Sequence, residues 1–485
     1  MPERPYIYYD FTLSICSTCL RRVDAKIVFE DDKVYMLKNC RHHGFEKVLI
    51  ATDIEYYKNC RNYAKRSEMP LKFNSKTHFG CPYDCGLCQD HEQHSCLTVV
   101  EVTDRCNLSC PTCYAMSSPT YGRHRTLVEI EQMLDVIVEN EGQPDVVQIS
   151  GGEPTVHPQF FEILDIAKTK PIKHLMLNTN GIRIAKDEAF VQRLATYMPD
   201  FEIYLQFDSF KKEALEQLRG EDLREVRRKA LENLNKYNLS TTLVVTLQKG
   251  LNTDEIGKII EYALQQPCVR GVTFQPTQQA GRLDNFNPAT DRYTLTEVRS
   301  AILEQTDIFN KNDLIPVPCN PDALVMGYAL KLGGQVFPLT RLMDNFHRTD
   351  PIPPESITAL NLYLQDSLKD LFAAASNYPI VNIIGSSGVF ESYAGLIETG
   401  KGHSFDLKKT KHYDFEKDEL LAVIESLILS SHQQRLGNKG IIPVRVDMIV
   451  TASVLTRFII DKLGIDKVAM STSSLKEGVL AEMMG

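Results

Sequence analysis

From residue 97 onward, short apolar runs rich in β-branched residues alternate with longer stretches whose apolar positions recur at helical spacing. The runs at 97–103, 145–150, 173–178, 202–208, 240–246 and 269–275 read as strands, and stretches such as 127–139 and 222–237 read as helices. Repeated strand-then-helix units imply a parallel sheet with right-handed crossovers. Six of them predict an α/β protein built on a partial (β/α)6 barrel of the TIM-like type, with its working groups at the C-terminal strand ends. Near residue 345 the pattern changes, and NFHRTDPIPP at 345–354 reads as a polar, Pro-rich joint. Beyond it a helix at 355–375, a strand at 379–384, helices at 417–431 and 446–463, a strand at 467–471 and a closing helix predict a second α/β lobe. The expected division is a head at 1–96, the barrel at 97–344 and the lobe at 345–485.

Composition narrows the class. The 485 residues carry a net charge of −9 without a basic block, which argues against a nucleic-acid partner. The start, MPERPYIYYD, has no apolar signal segment, and no run of 18 apolar residues occurs. The expectation is a soluble cytoplasmic protein without a transmembrane segment. Of 13 cysteines, eleven precede residue 114. Crowded short spacings without a secretion signal point to metal and not to disulfides.

Three cysteine groups stand out. Cys106, Cys110 and Cys113, spaced x3 and x2, follow directly on the apolar run at 97–102. Three thiolates without a local fourth would leave one iron of a cubane open to another ligand, which implies chemistry at the metal. Cys81, Cys85 and Cys88 repeat that spacing, but Cys96 offers them a fourth thiol. This second module reads as an auxiliary iron–sulfur cluster, with zinc as the alternative. Cys16 and Cys19 form a knuckle completed by Cys40 and by either His43 or Cys60, a closed tetrahedral site for zinc or a single iron.

Polar tips follow the apolar strands. Ser150-Gly151-Gly152-Glu153-Pro154 ends the second, and its paired glycines let backbone approach a ligand while Glu153 offers a carboxylate to an ammonium group. Asn178-Thr179-Asn180-Gly181 ends the third strand and Gln206-Phe207-Asp208-Ser209 the fourth. These could hydrogen-bond a ribose or carboxylate, or simply cap loops. Arg282, after the sixth strand, could meet an anionic group, but an ordinary surface arginine is the expectation.

Together, residues 97–282 resemble the core of the radical S-adenosylmethionine (radical SAM) enzymes. The resemblance implies a [4Fe–4S] cluster on Cys106, Cys110 and Cys113, with S-adenosylmethionine on the open iron. It implies contact of Gly151, Gly152 and Glu153 with the methionine amino group, and of Asn178 and Gln206 with the ribose or carboxylate. It also implies an oxygen-sensitive reaction in which a deoxyadenosyl radical abstracts hydrogen, fed by a low-potential donor such as ferredoxin or flavodoxin. The position before the last cysteine, commonly aromatic in that family, is Thr112, and Tyr114 follows.

The head, with GCPYDCGLC and HSCLTVVEVTDRCNLSCPTCYA, is similar to the branch containing archaeal tetraether lipid synthases and dihydropterin methyltransferase-like enzymes. That implies carbon–carbon coupling or methylation on a lipid or pterin-like small molecule. Cys319 lies in a further matching stretch, but Ala323 stands where that branch tends to have another cysteine, and Cys268 reads as a core thiol. The tail motifs FHRTDPI, IIGSSGVFES and RVDMIVTASVL resemble the second, actin-like half of exopolyphosphatases and guanosine pentaphosphate phosphatases. The phosphate loop that opens that lobe and the whole first lobe are missing, so a structural or interaction lobe is expected in place of phosphatase activity. The competing reading of the whole chain is a metal-stapled scaffold with an inactive barrel. Intact cysteines and an intact Gly-Gly-Glu-Pro loop count against it.

Overall fold

The computed structural model describes residues 4–471 except 64–68, 85, 92, 284–285, 333–334, 341–350, 352–353, 377–379, 381, 387, 407–409, 439, 442–444 and 447. The chain divides into two compact units, residues 1–327 with 331–336, and residues 328–330 with 337–485.

The first unit begins with an antiparallel sheet that the cysteine-centred reading of the head did not foresee. Its strands are β1 (Ile7–Ile15), β2 (Arg22–Glu30), β3 (Lys33–Cys40) and β4 (Gly44–Ala51), paired in sequence order. A short helix, α1 (Ile54–Cys60), follows, started by the Asp53 side chain accepting from the Tyr56 amide. Ile27, Phe29, Val34 and Ala51 make a small separate core. Thr52 and Arg299 tie this sheet to the barrel: the Thr52 amide donates to Thr296 Oγ1 at 2.8 Å, and Arg299 pairs with Asp53 at 3.4 Å.

The barrel sheet has six parallel strands: β5 (Leu97–Thr103), β6 (Val146–Gly151), β7 (His174–Thr179), β8 (Phe201–Gln206), β9 (Thr241–Leu247) and β10 (Val269–Pro276). They lie in the order of the sequence, with β5 and β10 as the two edges. Between them run α2 (Leu127–Glu141), α3 (Phe160–Thr169), α4 (Ile182–Lys186), α5 (Glu188–Ala195), α6 (Lys212–Arg219), α7 (Arg224–Lys236) and α8 (Ile256–Gln265), and α9 (Leu295–Gln305) follows β10. The helix α2 starts where it does because Thr126 and Glu129 form a reciprocal capping box.

Alternation sorts the strand side chains. Val100, Val102, Val147, Ile149, Leu175, Leu177, Ile203, Leu205, Leu243 and Val245 are buried in one core with Ile130 and Leu134 of α2 and Ile163 and Leu164 of α3. Each such side chain contributes about 1.5–3 kcal/mol by leaving water. The residues of opposite parity, Glu101, Gln148, Ser150, Asn178, Tyr204, Gln206 and Gln275, face away from the helices and are predominantly polar. The fourth strand ends at Gln206 and not at 208 as expected. Asp208 adopts φ +69°, which breaks the extended ladder and turns the chain.

In the second unit, Lys467–Ser471 lies between Asn382–Ser386, its parallel partner, and His412–Phe415, its antiparallel partner. The helices Val389–Gly400, Lys417–Leu429 and Met448–Leu463 cover a core around Tyr393, whose hydroxyl is 3.1 Å from Ser453 Oγ. The helix Val389–Gly400 and the strand His412–Phe415 were not foreseen. Of the expected joint at 345–354, only Pro351 and Pro354 are described, and the closing helix lies outside the described residues.

Candidate functional site

The loop carrying Cys106, Cys110 and Cys113 leaves the C-terminal end of β5 and packs on the start of the α6–α7 region. Leu108 and Cys110 are buried with Leu215 and Leu223, and Cys106 and Cys113 pack against them. Local hydrogen bonds wind the loop: the Leu108 amide approaches Cys106 Sγ at 3.4 Å, and the Cys113 amide donates to the Cys110 carbonyl at 3.2 Å. Burial pushes the Cys106 thiol up to about 12, with further upward pushes from Glu153, Cys110 and Cys113. The Cys106 and Cys110 thiols, both pushed up by burial, stay neutral unless a cation or cluster takes their protons' place.

Two residues hold this loop in ways that the sequence did not announce. Arg282, expected at the surface, donates from Nη1 to the Cys110 carbonyl at 2.9 Å and from Nη2 to the Met116 carbonyl at 2.6 Å. Its own amide donates to the Cys113 carbonyl at 3.1 Å. Thr112, at the commonly aromatic position, donates its hydroxyl to the Leu218 carbonyl at 2.9 Å. It therefore anchors the loop to α6.

The Gly-Gly pair is shaped for close backbone packing. Gly151 has φ +128°, and a Cβ there would sit 2.2 Å from the Thr103 carbonyl oxygen; one on Gly152 would sit 2.2 Å from that of Arg105. The Gly152 and Glu153 amides donate to those same carbonyls at 2.8 and 2.9 Å, so the pair roots the cysteine loop. Glu153 differs from the expectation of a ligand carboxylate. It is 1% exposed and accepts from the Thr155 amide and hydroxyl, the Thr179 hydroxyl and the Asn180 amide at 2.6–3.1 Å. Burial pushes its carboxyl up while these donors hold it down. Both oxygens are used to join the ends of β6 and β7.

Asn178 and Gln206 lie half-buried on the polar face of the sheet, and Asn178 donates to Ser150 Oγ at 3.1 Å. Asn180, just beyond the end of β7, reaches the cysteine loop: its Nδ2 donates to Asn107 Oδ1 at 2.6 Å and lies 4.0 Å from Cys106 Sγ. Behind Cys110 sits a buried ionic group. Asp208, fully buried, takes a bidentate pair from Arg219 at 2.8 and 2.6 Å, and Arg227 Nη2 lies 3.6 Å away. Arg227 also donates to the Asn180 carbonyl, yet its Nε and Nη2 have no hydrogen-bond acceptor. Burial pushes the Cys110 thiol up, and the Arg219 guanidinium beside it opposes that shift. Nothing in the linear spacing of residues 208, 219 and 227 announces this grouping.

In the head, Cys16 and Cys19 occupy the β1–β2 turn, and Cys40 and His43 the β3–β4 turn. Their four ligand atoms lie within 4.8 Å of one another. Cys16 Sγ is 3.4 Å and Cys40 Sγ 3.6 Å from His43 Nδ1. A zinc–sulfur bond of about 2.3 Å gives a tetrahedral edge of about 3.8 Å, and Cys19 and Cys40 stand 3.9 Å apart. Backbone amides of Cys19 and Thr18 lower the Cys16 thiol to about 6, favouring the thiolate a metal needs. His43 therefore joins the set. Cys60 does not: it is buried in α1 beside Tyr56, because a helix facing the core turns it away from both hairpin turns.

In the second module, Cys81 is exposed, Cys88 is buried and Cys85 lies outside the described residues. Cys96 Sγ is 3.5 Å from His94 Nε2, whose Nδ1 is 3.3 Å from Glu141. Gln93 donates to the Cys319 carbonyl, and the Cys319 thiol adds to burial in pushing Cys96 up to about 11. Cys268 is a fully buried core thiol.

Residues 100–263 match the family described as the radical SAM superfamily, and residues 8–52 the HMPTM N-terminal zinc ribbon domain. The chain is 35% identical over 311 residues to the 7,8-dihydro-6-hydroxymethylpterin dimethyltransferase of Methanocaldococcus jannaschii, covering 63% of this chain and 61% of that protein. It is 27% identical over 181 residues to the GTP 3′,8-cyclase of Chlorobaculum tepidum, covering 36% and 53%. Either match thus spans less than two thirds of the relative's own length. A crystal structure of an exopolyphosphatase from Cytophaga hutchinsonii is matched at 20% identity and a TM-score of 0.29, over 53% of this chain and 82% of that one. The strand-rooted three-cysteine loop thus lies in the stretch that matches the radical SAM superfamily, and the Cys16, Cys19, Cys40 and His43 set in the stretch that matches the zinc ribbon.

Proposed function

We propose that the chain is a radical SAM enzyme whose cluster is held by Cys106, Cys110 and Cys113. The observation that carries this reading is the loop itself: three clustered, half-buried to buried thiols at a strand end, with a glycine pair packed on their root. The residues fit the group on a second count. Arg227 and Arg219 set two guanidinium groups against the single Asp208 carboxylate, and Arg227 Nε and Nη2 lack a hydrogen-bond acceptor, an excess of positive charge that an anionic cluster and its ligand would balance. When bound, the [4Fe–4S] cluster and S-adenosylmethionine supply one-electron cleavage of a sulfur–carbon bond and hydrogen abstraction from an unactivated carbon.

The protein's own part is positioning. Arg282 and Thr112 fix the loop, Gly151 and Gly152 bring backbone against it, and Asn178 and Gln206 present amides from the strand ends toward a bound nucleoside. The substrate faces the polar side of the sheet. Glu101, Gln148, Asn178, Tyr204, Gln206 and Gln275 on that side offer a carboxylate, amides and a phenol, which suit a polar heterocycle such as a dihydropterin far better than a lipid chain. The relative from Methanocaldococcus jannaschii, named for a pterin substrate, supports the same choice. Methyl transfer to such a ring is therefore the reaction favoured.

The head set Cys16, Cys19, Cys40 and His43 would hold structural zinc, and Cys81, Cys85, Cys88 and Cys96 an auxiliary iron–sulfur cluster. Electrons would come from a low-potential donor of the ferredoxin or flavodoxin kind, in the cytoplasm. Among the described residues no helix is long and apolar enough to cross a membrane. The second unit would serve as an interaction lobe. The test is anaerobic reconstitution with iron and sulfide, then assay of 5′-deoxyadenosine with reductant, S-adenosylmethionine and 7,8-dihydro-6-hydroxymethylpterin. Formation of deoxyadenosine and a methylated pterin is expected; a chain that assembles no cluster able to bind S-adenosylmethionine sinks the reading.

A further inference from the structure

The ionic group behind Cys110 enters the reading above only as an excess of positive charge, and the placement of Asp208 and Arg219 within it is specific. Asp208 lies at the left-handed turn after β8, Arg219 ends α6 and Arg227 belongs to α7. The stretch carrying Arg219 backs directly onto the cysteine loop. Leu218 accepts from Thr112, and a Cβ on Gly220 would lie 3.6 Å from both the Ser109 carbonyl and the Pro111 ring. Leu215 shares the apolar pocket of Cys110. Arg219 uses Nε and Nη2 on Asp208, and Nη2 also donates to Thr246 Oγ1 at 2.8 Å. The guanidinium is thus held by Asp208 on one side, and the helix end that carries it packs against the Cys110 loop on the other.

We propose that Arg219, opposed by Asp208, sets the reduction potential of the cluster on Cys106, Cys110 and Cys113. The inference rests on the reading of those cysteines as cluster ligands. Its electrostatics are simple. One-electron reduction of a [4Fe–4S] cluster adds one negative charge, drawn from an external reductant, with no bond made or broken. A cation held beside one ligand sulfur in a dry site stabilises the reduced form and raises the potential, and a carboxylate behind that cation lowers it. Buried charges here are screened little by salt, so the effect is local and fixed by the fork geometry. The fork also keeps the cation from swinging toward solvent, as Arg219 is 8% exposed.

The measurement is a potentiometric titration of the full-length, anaerobically reconstituted chain, followed by electron paramagnetic resonance. The cluster in question is the one whose signal changes on adding S-adenosylmethionine, which separates it from any auxiliary cluster. Arg219→Gln should shift its midpoint to lower potential. Asp208→Asn, nearly isosteric and still able to accept from the Thr246 amide, should shift it to higher potential. Arg219→Lys, which keeps the charge but not the fork, should fall between wild type and Arg219→Gln. Opposite signs for the two charge changes support the proposal, since loosened packing would not produce them. Shifts of the same sign, or none, overturn it. If Arg219→Gln assembles no cluster, the direction of Asp208→Asn decides alone. A wild-type chain with no signal responsive to S-adenosylmethionine would instead overturn the site assignment beneath it.

Discussion

Glu153 accepts four hydrogen bonds from three residues on two strand ends, and none of its oxygens faces open space. Replacing one oxygen by an amide nitrogen sets donor against donor in a fully buried position. Glu153→Gln is therefore expected to cost about 1–3 kcal/mol of stability, read by denaturant unfolding under anaerobic conditions. It should also lower iron loading, because Asn180, tied to Glu153, positions the cysteine loop. A ligand carboxylate would behave otherwise, weakening S-adenosylmethionine binding without loss of stability. For the cysteines the expectation is selective. Cys110→Ala should lose the S-adenosylmethionine-responsive cluster while zinc and auxiliary iron stay bound, as metal analysis and electron paramagnetic resonance would show. Retained cleavage of S-adenosylmethionine would refute the assignment of the two cysteine modules.

At the scale of elements, the strands of the barrel were legible because each is a compact apolar run with helical periodicity on either side. Their ends were less so. The expected extension of the fourth strand to residue 208 fails because Asp208 turns into the left-handed region to meet Arg219 and Thr246, a tertiary demand that no local pattern carries. The start of α2 is governed locally by Thr126 and Glu129, and Arg123 adds an ion pair to the same carboxylate at 2.7 Å. Hydrogen bonds from Arg123 and from Thr126 lower Glu129 from 4.5 to about 2. A depressed folded-state pKa means the cap's contribution is complete above about pH 4.5 and is lost as pH falls toward 2. Protection factors of the first-turn amides of α2, that is, exchange rates corrected for the intrinsic pH dependence, should accordingly fall across that window. Glu129→Gln should flatten this response. The glycine pair makes a sharper case. Gly152→Ala would drive a Cβ to 2.2 Å from a backbone oxygen, so β6 and the cysteine loop must part. Loss of iron from the Cys106–Cys113 site is expected, with zinc in the head unaffected.

For the molecule as a whole, what could be read in the sequence and what could not divide along chain separation. Cysteine modules and the strand-end glycines are local patterns, so their spacing carries them. The head's four strands, eight or nine residues each, do alternate, as Ile7, Tyr9, Phe11, Leu13 and Ile15 of β1 show, but a reading centred on the cysteines passes over that signal, and the choice of His43 over Cys60 depends on two hairpin turns meeting in space. Arg219, Arg227 and Asp208 converge on Cys110 only through the fold. The metal set in the head gives the last expectation. β1–β4 build a small core, with Ile27, Phe29, Val34 and Ala51 buried at its centre and half-buried side chains such as Tyr9, Met36 and Ile50 packed around them. So small a core does not hold a sheet of this size without a staple. Cys16 and Cys19 sit in one turn and Cys40 and His43 in another, so a metal bound there fixes the two hairpins to each other. The barrel has its own much larger core and meets the head at few points, among them Thr52 with Thr296 and Asp53 with Arg299. Removing zinc with a chelator should therefore expose the β1–β4 amides to exchange while β5–β10 keep their protection. Loss of protection across both sheets together would mean that head and barrel fold as one unit, and that the contacts at Thr52 and Asp53 carry more than their number suggests.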